Sequence, residues 1–113
     1  MISAGDIADA GVRAVGDAVR ARVATAPVYV FVDVDVLDPA HAPGTGTPEP
    51  GGLSSRELLA LVRLMSGLQL VGADVVEVSP AYDHVEITPI AAAHVVYELV
   101  SVISGTERPS EHA

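Results

Sequence analysis

The chain has 113 residues and a mass of 11.6 kDa, and half of it is apolar, which suits one small globular domain or part of a larger one and excludes extensive disorder. Fifteen acidic residues oppose six arginines, with no lysine, and the formal charge of −9 argues against nucleic acid and anionic membrane surfaces as partners. With no cysteine, disulfides, cysteine–zinc sites and thiol catalysis are excluded; no apolar run approaches the ~20 residues of a membrane span, Gly5, Asp6 and Asp9 break up any secretion signal, and a soluble cytoplasmic protein is expected.

Residues 3–24 are expected to form one helix. Ile7, Val12, Val15, Val19 and Val23 recur at near-helical spacing, and Ser3 with Asp6 resembles a capping box. Gly11 and Gly16 weaken that helix and Pro27 follows its end. Residues 28–34, Val-Tyr-Val-Phe-Val-Asp-Val, are a β-branched and aromatic run suited to a parallel strand covered on both faces. Residues 38–52 carry four prolines and four glycines and predict a stiff loop. Ser54 or Ser55 then caps a helix to about Ser66, with Leu58, Leu59, Val62 and Met65 on its buried face. A second strand is expected within 69–79, from Val71 to Val78, completing a right-handed βαβ unit. The last helix is expected to start at Thr88 as N-cap with Pro89 behind it and to stop at Gly105, with Ile90, Ala93, His94, Tyr97 and Val100 at helical spacing. A frayed polar tail covers 106–113. Two strands do not make a stable parallel sheet by themselves, so the pattern points to part of a larger α/β sheet.

Three acids, Asp33, Asp35 and Asp38, follow the first strand, where α/β sheets gather ligands. Asp33 and Asp35, two residues apart in an extended segment, point to the same side and can share a hard divalent cation, Mg or Mn. The plainer alternative is a pair of partly exposed acids, with Asp38 opening an Asp-Pro turn. Glu77, flanked by Val75, Val76 and Val78, either faces solvent from an edge strand or joins the same cleft, where a guanidinium would pair with it through a two-bond fork. His41 and His84 lie in loops near that cleft without metal-ligand spacing, His94 is a core or interface residue, and His112 belongs to the tail. Asp83 and Glu86 resemble the capping box of a short turn.

Asp33-Val-Asp35-Val-Leu-Asp38-Pro39, then Ala42-Pro-Gly-Thr-Gly-Thr-Pro48 and Gly51-Gly52-Leu53, resemble the signature of the ureohydrolase (arginase and agmatinase) family. Asp74-Val-Val-Glu77-Val-Ser-Pro80-Ala-Tyr-Asp83 with Glu86-Ile-Thr88 resembles the next block of its agmatinase branch. The resemblance implies a three-layer α/β/α fold, of which this chain is the parallel-sheet portion: residues 1–105 are expected to be the carboxyl-terminal part of the domain. It also implies a two-manganese centre at the strand ends that activates water for attack on a guanidinium carbon, releasing urea and an amine. By position, Asp33 resembles the acid that bridges both metals, Asp35 the acid on the second metal alone, and Glu77 the acid that holds the substrate guanidinium. A small guanidino substrate such as agmatine and a homo-oligomeric complete protein are implied with them. Two departures stand out. Phe31 occupies a position where the family often has Ser, and the Gly-Gly-Asp-His and Asp-Ala-His-x-Asp blocks, with the general-acid histidine, are not in this sequence. A catalytically incomplete fragment or pseudoenzyme that needs a partner is therefore the main alternative, and an Asp-x-Asp phosphatase of the haloacid dehalogenase type the remote one.

Overall fold

A computed structural model describes residues 1–105; the expected polar tail at 106–113, with His112, lies outside the described residues. The architecture is α/β, a parallel two-stranded sheet flanked by helices, consistent with a portion of a three-layer α/β/α fold. Among the described residues no helix is long and apolar enough to cross a membrane.

The N-terminal segment departs from the single helix its periodicity suggests. It forms α1 (Ala4–Ala10) and α2 (Val12–Val23), broken at Gly11, whose φ of 88° is open to glycine and strained for other residues. The Ser3–Asp6 capping box forms as expected. Strand β1 (Val28–Asp33) and strand β2 (Leu70–Val76) pair in parallel, and Asp33 stands opposite Val76 at their carboxyl ends. Between them, α3 (Ser55–Arg63) starts at Ser54, whose hydroxyl accepts from the Glu57 amide while Glu57 accepts from the Ser54 amide. β2 stops short of the expected Val78 because Glu77 adopts a left-handed φ of 69° and turns the chain out of the sheet.

One apolar cluster fills the space between sheet and helices: Val15 from α2, Val30 and Val32 from β1, Leu58 and Val62 from α3, and Val95 and Leu99 from the last helix. The opposite face of the sheet is bare, with Tyr29, Phe31 and Val71 exposed. The strands read as covered on both faces, and one face is bare among the described residues, as expected for part of a larger sheet.

The last helix, α4 (Ile87–Ile103), begins earlier than its sequence suggests. Thr88 is not its N-cap. The Thr88 hydroxyl accepts from the amide of Gly44 at 2.6 Å, and the Asp83 carboxylate accepts from the Thr88 amide at 2.6 Å. Asp83 therefore caps this helix start, also accepting from the Val85 amide, and the expected Asp83–Glu86 box does not form: Glu86 sits in the left-handed region and makes no side-chain cap. A tertiary need, the anchoring of Gly44, has taken the hydroxyl that a local cap would have used.

The proline and glycine loop is closed at its base. The Asp38 amide donates to Leu53 O and the Leu53 amide to Val36 O, while the Asp38 carboxylate accepts from the amides of Ala40 and Gly51. Gly52 lies against this clasp so closely that a Cβ there would stand 2.6 Å from both Asp38 N and Val36 O. Those neighbours are backbone and cannot move aside. Gly52→Ala is therefore expected to lower stability by about 1–3 kcal/mol, the usual range for overpacking, measured by chemical denaturation against the parent chain.

Candidate functional site

β1 delivers Asp33 to the carboxyl edge of the sheet, and a single turn of 3₁₀ helix over Val34–Val36 follows it. Asp33 Oδ1 accepts the Asp35 amide at 3.0 Å, which fixes this turn and brings the two side chains within hydrogen-bonding reach of each other. Asp35 Oδ2 accepts the Thr47 hydroxyl at 2.8 Å, so the proline and glycine loop folds back over the strand end. Both aspartates are half-buried, and neither makes a salt bridge among the described residues. Burial pushes the Asp33 carboxyl above the usual carboxylate range; the neighbouring Asp35 and Glu77 charges push the same way, against the Asp35 amide, which favours the ionised form.

Glu77 thus lies near enough to act on Asp33, and Asp33, Asp35 and Glu77 share one end of the sheet. Glu77 itself is exposed. It needs no buried counter-ion, contrary to what its apolar flanks suggest. Its left-handed backbone, a costly conformation for a residue with a Cβ, holds it at the strand terminus.

The loop over this edge is tied to the β2–α4 connection at two points. Gly44 N donates to Thr88 Oγ1, and the Ser79 amide donates to Gly44 O at 2.6 Å. A Cβ on Gly44 would stand 2.9 Å from both Asp83 Cβ and Thr88 Oγ1. The stiffness expected of the loop comes from these ties as much as from its prolines. In the sequence Asp83 and Thr88 read as capping residues before the helix, and nothing local marks them as supports of the site. Thr45 is buried in the same loop, and its hydroxyl has no hydrogen-bond partner. His41 lies beside Asp38, its amide donating to Asp38 O and its Nδ1 3.3 Å from Ser55 Oγ, and His84 is exposed.

Two crowded carboxylates without a cationic partner are the hard oxygen donors that a manganese or magnesium ion takes. Among the described residues, however, no group of three or more histidine or acidic side chains is arranged to hold a metal. The donors fit the expected ion in type and fall short in number.

The sequence profile of the Arginase family matches residues 1–101. The chain belongs to the arginase family. It is 53% identical over 100 residues to proclavaminate amidinohydrolase from Streptomyces clavuligerus, covering 88% of this chain and 32% of that protein. It is 48% identical over 95 residues to an agmatinase from Chromobacterium violaceum, covering 84% of this chain and 30% of that one. The crystal structure of a hypothetical agmatinase from Burkholderia thailandensis superposes with a TM-score of 0.87 at 51% identity, over 89% of this chain and 32% of that chain. This arginase-family chain thus spans about a third of the length of each. The family match leaves the phosphatase alternative without support.

Asp83 offers a test of how the loop is held. Its carboxyl is held below the usual range, chiefly by the Thr88 amide, so its charge stabilises the folded state above the unfolded pKa of about 3.9 and ceases to do so as pH falls through the depressed folded value. Asp83→Asn, which keeps an acceptor and removes the charge, is expected to melt at lower temperature than the parent at pH 7. The gap should narrow on acidification below the carboxylate range. Thermal melts of both proteins across pH 2–7 check this; a gap independent of pH would contradict it.

Proposed function

We propose that this chain is a catalytically incomplete part of a manganese-dependent ureohydrolase, contributing two metal-binding carboxylates and one substrate-binding carboxylate to a site completed by residues it lacks. The observation that carries this reading is the convergence of Asp33, Asp35 and Glu77 at one sheet edge, with no group of three metal-binding side chains among the described residues. In this reading Asp33 and Asp35 would hold manganese, and Glu77 would receive a guanidinium through paired N–H···O bonds. Manganese, when bound there, supplies Lewis acidity and water activation.

The chain's own residues do the positioning. Asp33 orders the turn that carries Asp35. Thr47 orients one Asp35 oxygen and leaves the other for a ligand. Glu77, exposed at the strand end, is accessible to a cationic guanidino group and would fix its planar face toward the aspartates, the orientation that hydrolysis to urea and an amine demands. The substrate is proposed to be a small linear guanidino compound, agmatine first among those to assay, and the complete protein a cytoplasmic homo-oligomer.

The purified 113-residue chain is expected to release no urea from agmatine with manganese present, and to bind manganese weakly by electron paramagnetic resonance titration. Asp33→Ala and Asp35→Ala should each reduce that binding, since the two carboxylates would hold the ion together; Glu77→Gln should leave it unchanged. Urea release by the chain alone would overturn the incompleteness. Manganese binding untouched by both aspartate substitutions would overturn the ligand assignment.

A further inference from the structure

His41 leaves the base of the loop beside Asp38 and meets the start of α3. Its Nδ1 stands 3.3 Å from the hydroxyl of Ser55, the first residue of that helix. With the ring proton on Nε2, the hydroxyl donates to Nδ1. A serine bonded to an imidazole is the pairing that makes a weak nucleophile a usable one. Ser55 takes no part in starting α3: the helix is capped by Ser54, whose hydroxyl accepts the Glu57 amide while Glu57 accepts from the Ser54 amide.

Both residues border a concavity of about 300 Å³ between α3 and α4. Its apolar walls include Leu37, Leu58, Leu59, Ile90 and Val95, and His94 is the remaining polar side chain of the lining. Asp33, Asp35 and Glu77 do not line it. An apolar hollow with a few polar groups at its rim is the usual form of a small-molecule site, and this one is at the small end of the range, roomy enough for a short acyl chain.

The surroundings suit the ring to take up a proton. The Asp38 carboxyl is held below the usual range chiefly by the Ala40 amide and that of Glu57 chiefly by the Ser54 amide, and a positive His41 lowers both further. By the same coupling, the two ionised carboxylates favour the imidazolium. The first amides of α3, at Ser55 and Arg56, have no intrahelical carbonyl to bond, and they lie where an oxyanion formed on an acyl-Ser55 would develop.

We propose that Ser55 and His41 form a nucleophile–base pair that hydrolyses short-chain carboxylic esters, with the acyl chain seated in the hollow between α3 and α4. Ser55 Oγ attacks the ester carbonyl carbon as its proton passes to His41 Nδ1. The C–O bond to the alcohol then breaks, and the alcohol leaves with that proton. Water next gives a proton to Nδ1 and attacks the acyl-serine; Oγ recovers the proton as the carboxylic acid departs. This inference is independent of the proposed ureohydrolase role.

The test uses the 113-residue chain with p-nitrophenyl butyrate, in the presence of a chelator that removes any metal-bound hydroxide from the aspartates. The parent should release p-nitrophenolate at least about tenfold faster than either Ser55→Ala or His41→Gln, with the circular dichroism of all three unchanged. It should also turn over the butyrate several-fold faster than the acetate, since the longer chain buries more apolar surface. On acid quenching, tandem mass spectrometry of the tryptic peptide ending at Arg56 should find one butyryl group on Ser55. Release unaffected by Ser55→Ala would overturn the proposal. So would a butyryl group carried by His41 or elsewhere and absent from Ser55, a result read from the parent chain alone and therefore decisive even where a variant does not fold.

Discussion

The hydrogen bond from the Gly44 amide to the Thr88 hydroxyl joins the loop that leaves β1 to the segment that leaves β2, and the shape of the strand-end cleft depends on it. Residue 44 has no side chain, so Asp83 and Thr88 close against its backbone. The Asp83 carboxylate then holds the Thr88 amide, and Ser79 holds the Gly44 carbonyl. Each such bond contributes only about 1 kcal/mol net, but leaving a buried partner unsatisfied costs more, so the set opens together or not at all. The same loop carries Thr47, whose hydroxyl donates to Asp35.

The acids of the chain divide by what satisfies them. Asp38 and Asp83 accept backbone amides, which hold their carboxyls below the usual range, and both are structural clasps. Asp33 has one amide, a crowding carboxylate beside it and no cation, and its carboxyl moves the other way. Among the described residues no arginine pairs with it: Arg20 donates to the carbonyls of Leu64 and Ser66, and Arg63 pairs with Glu98. Electrostatic frustration is thereby confined to the strand ends, where a ligand can relieve it.

Features written in local sequence were legible. The β-branched run of β1, the Ser54–Glu57 and Ser3–Asp6 boxes, the strand–helix–strand order and the grouping of Asp33, Asp35 and Glu77 each rest on neighbours in the chain. What escaped depends on distant contacts or on a conformation without a signature. Gly11 could equally sit inside a helix or break one. Nothing beside Glu77 announces a left-handed residue. Thr88 has the chemistry of a cap, yet its hydroxyl serves Gly44, forty-four residues away. Ile90, Tyr97 and Val100 have core-like spacing, but α4 is apolar on both sides, and periodicity alone does not say which side the core takes.

The backbone of Glu77 has a consequence for how this chain can change. A left-handed φ of 69° suits glycine and asparagine better than glutamate, and strain of this kind costs on the order of 1–3 kcal/mol. Glu77→Gly would relax the strand end and remove the carboxylate at once. Selection for thermal robustness alone would therefore drift toward glycine at this position, and under the substrate role proposed for Glu77 stability and chemistry would pull the sequence in opposite directions.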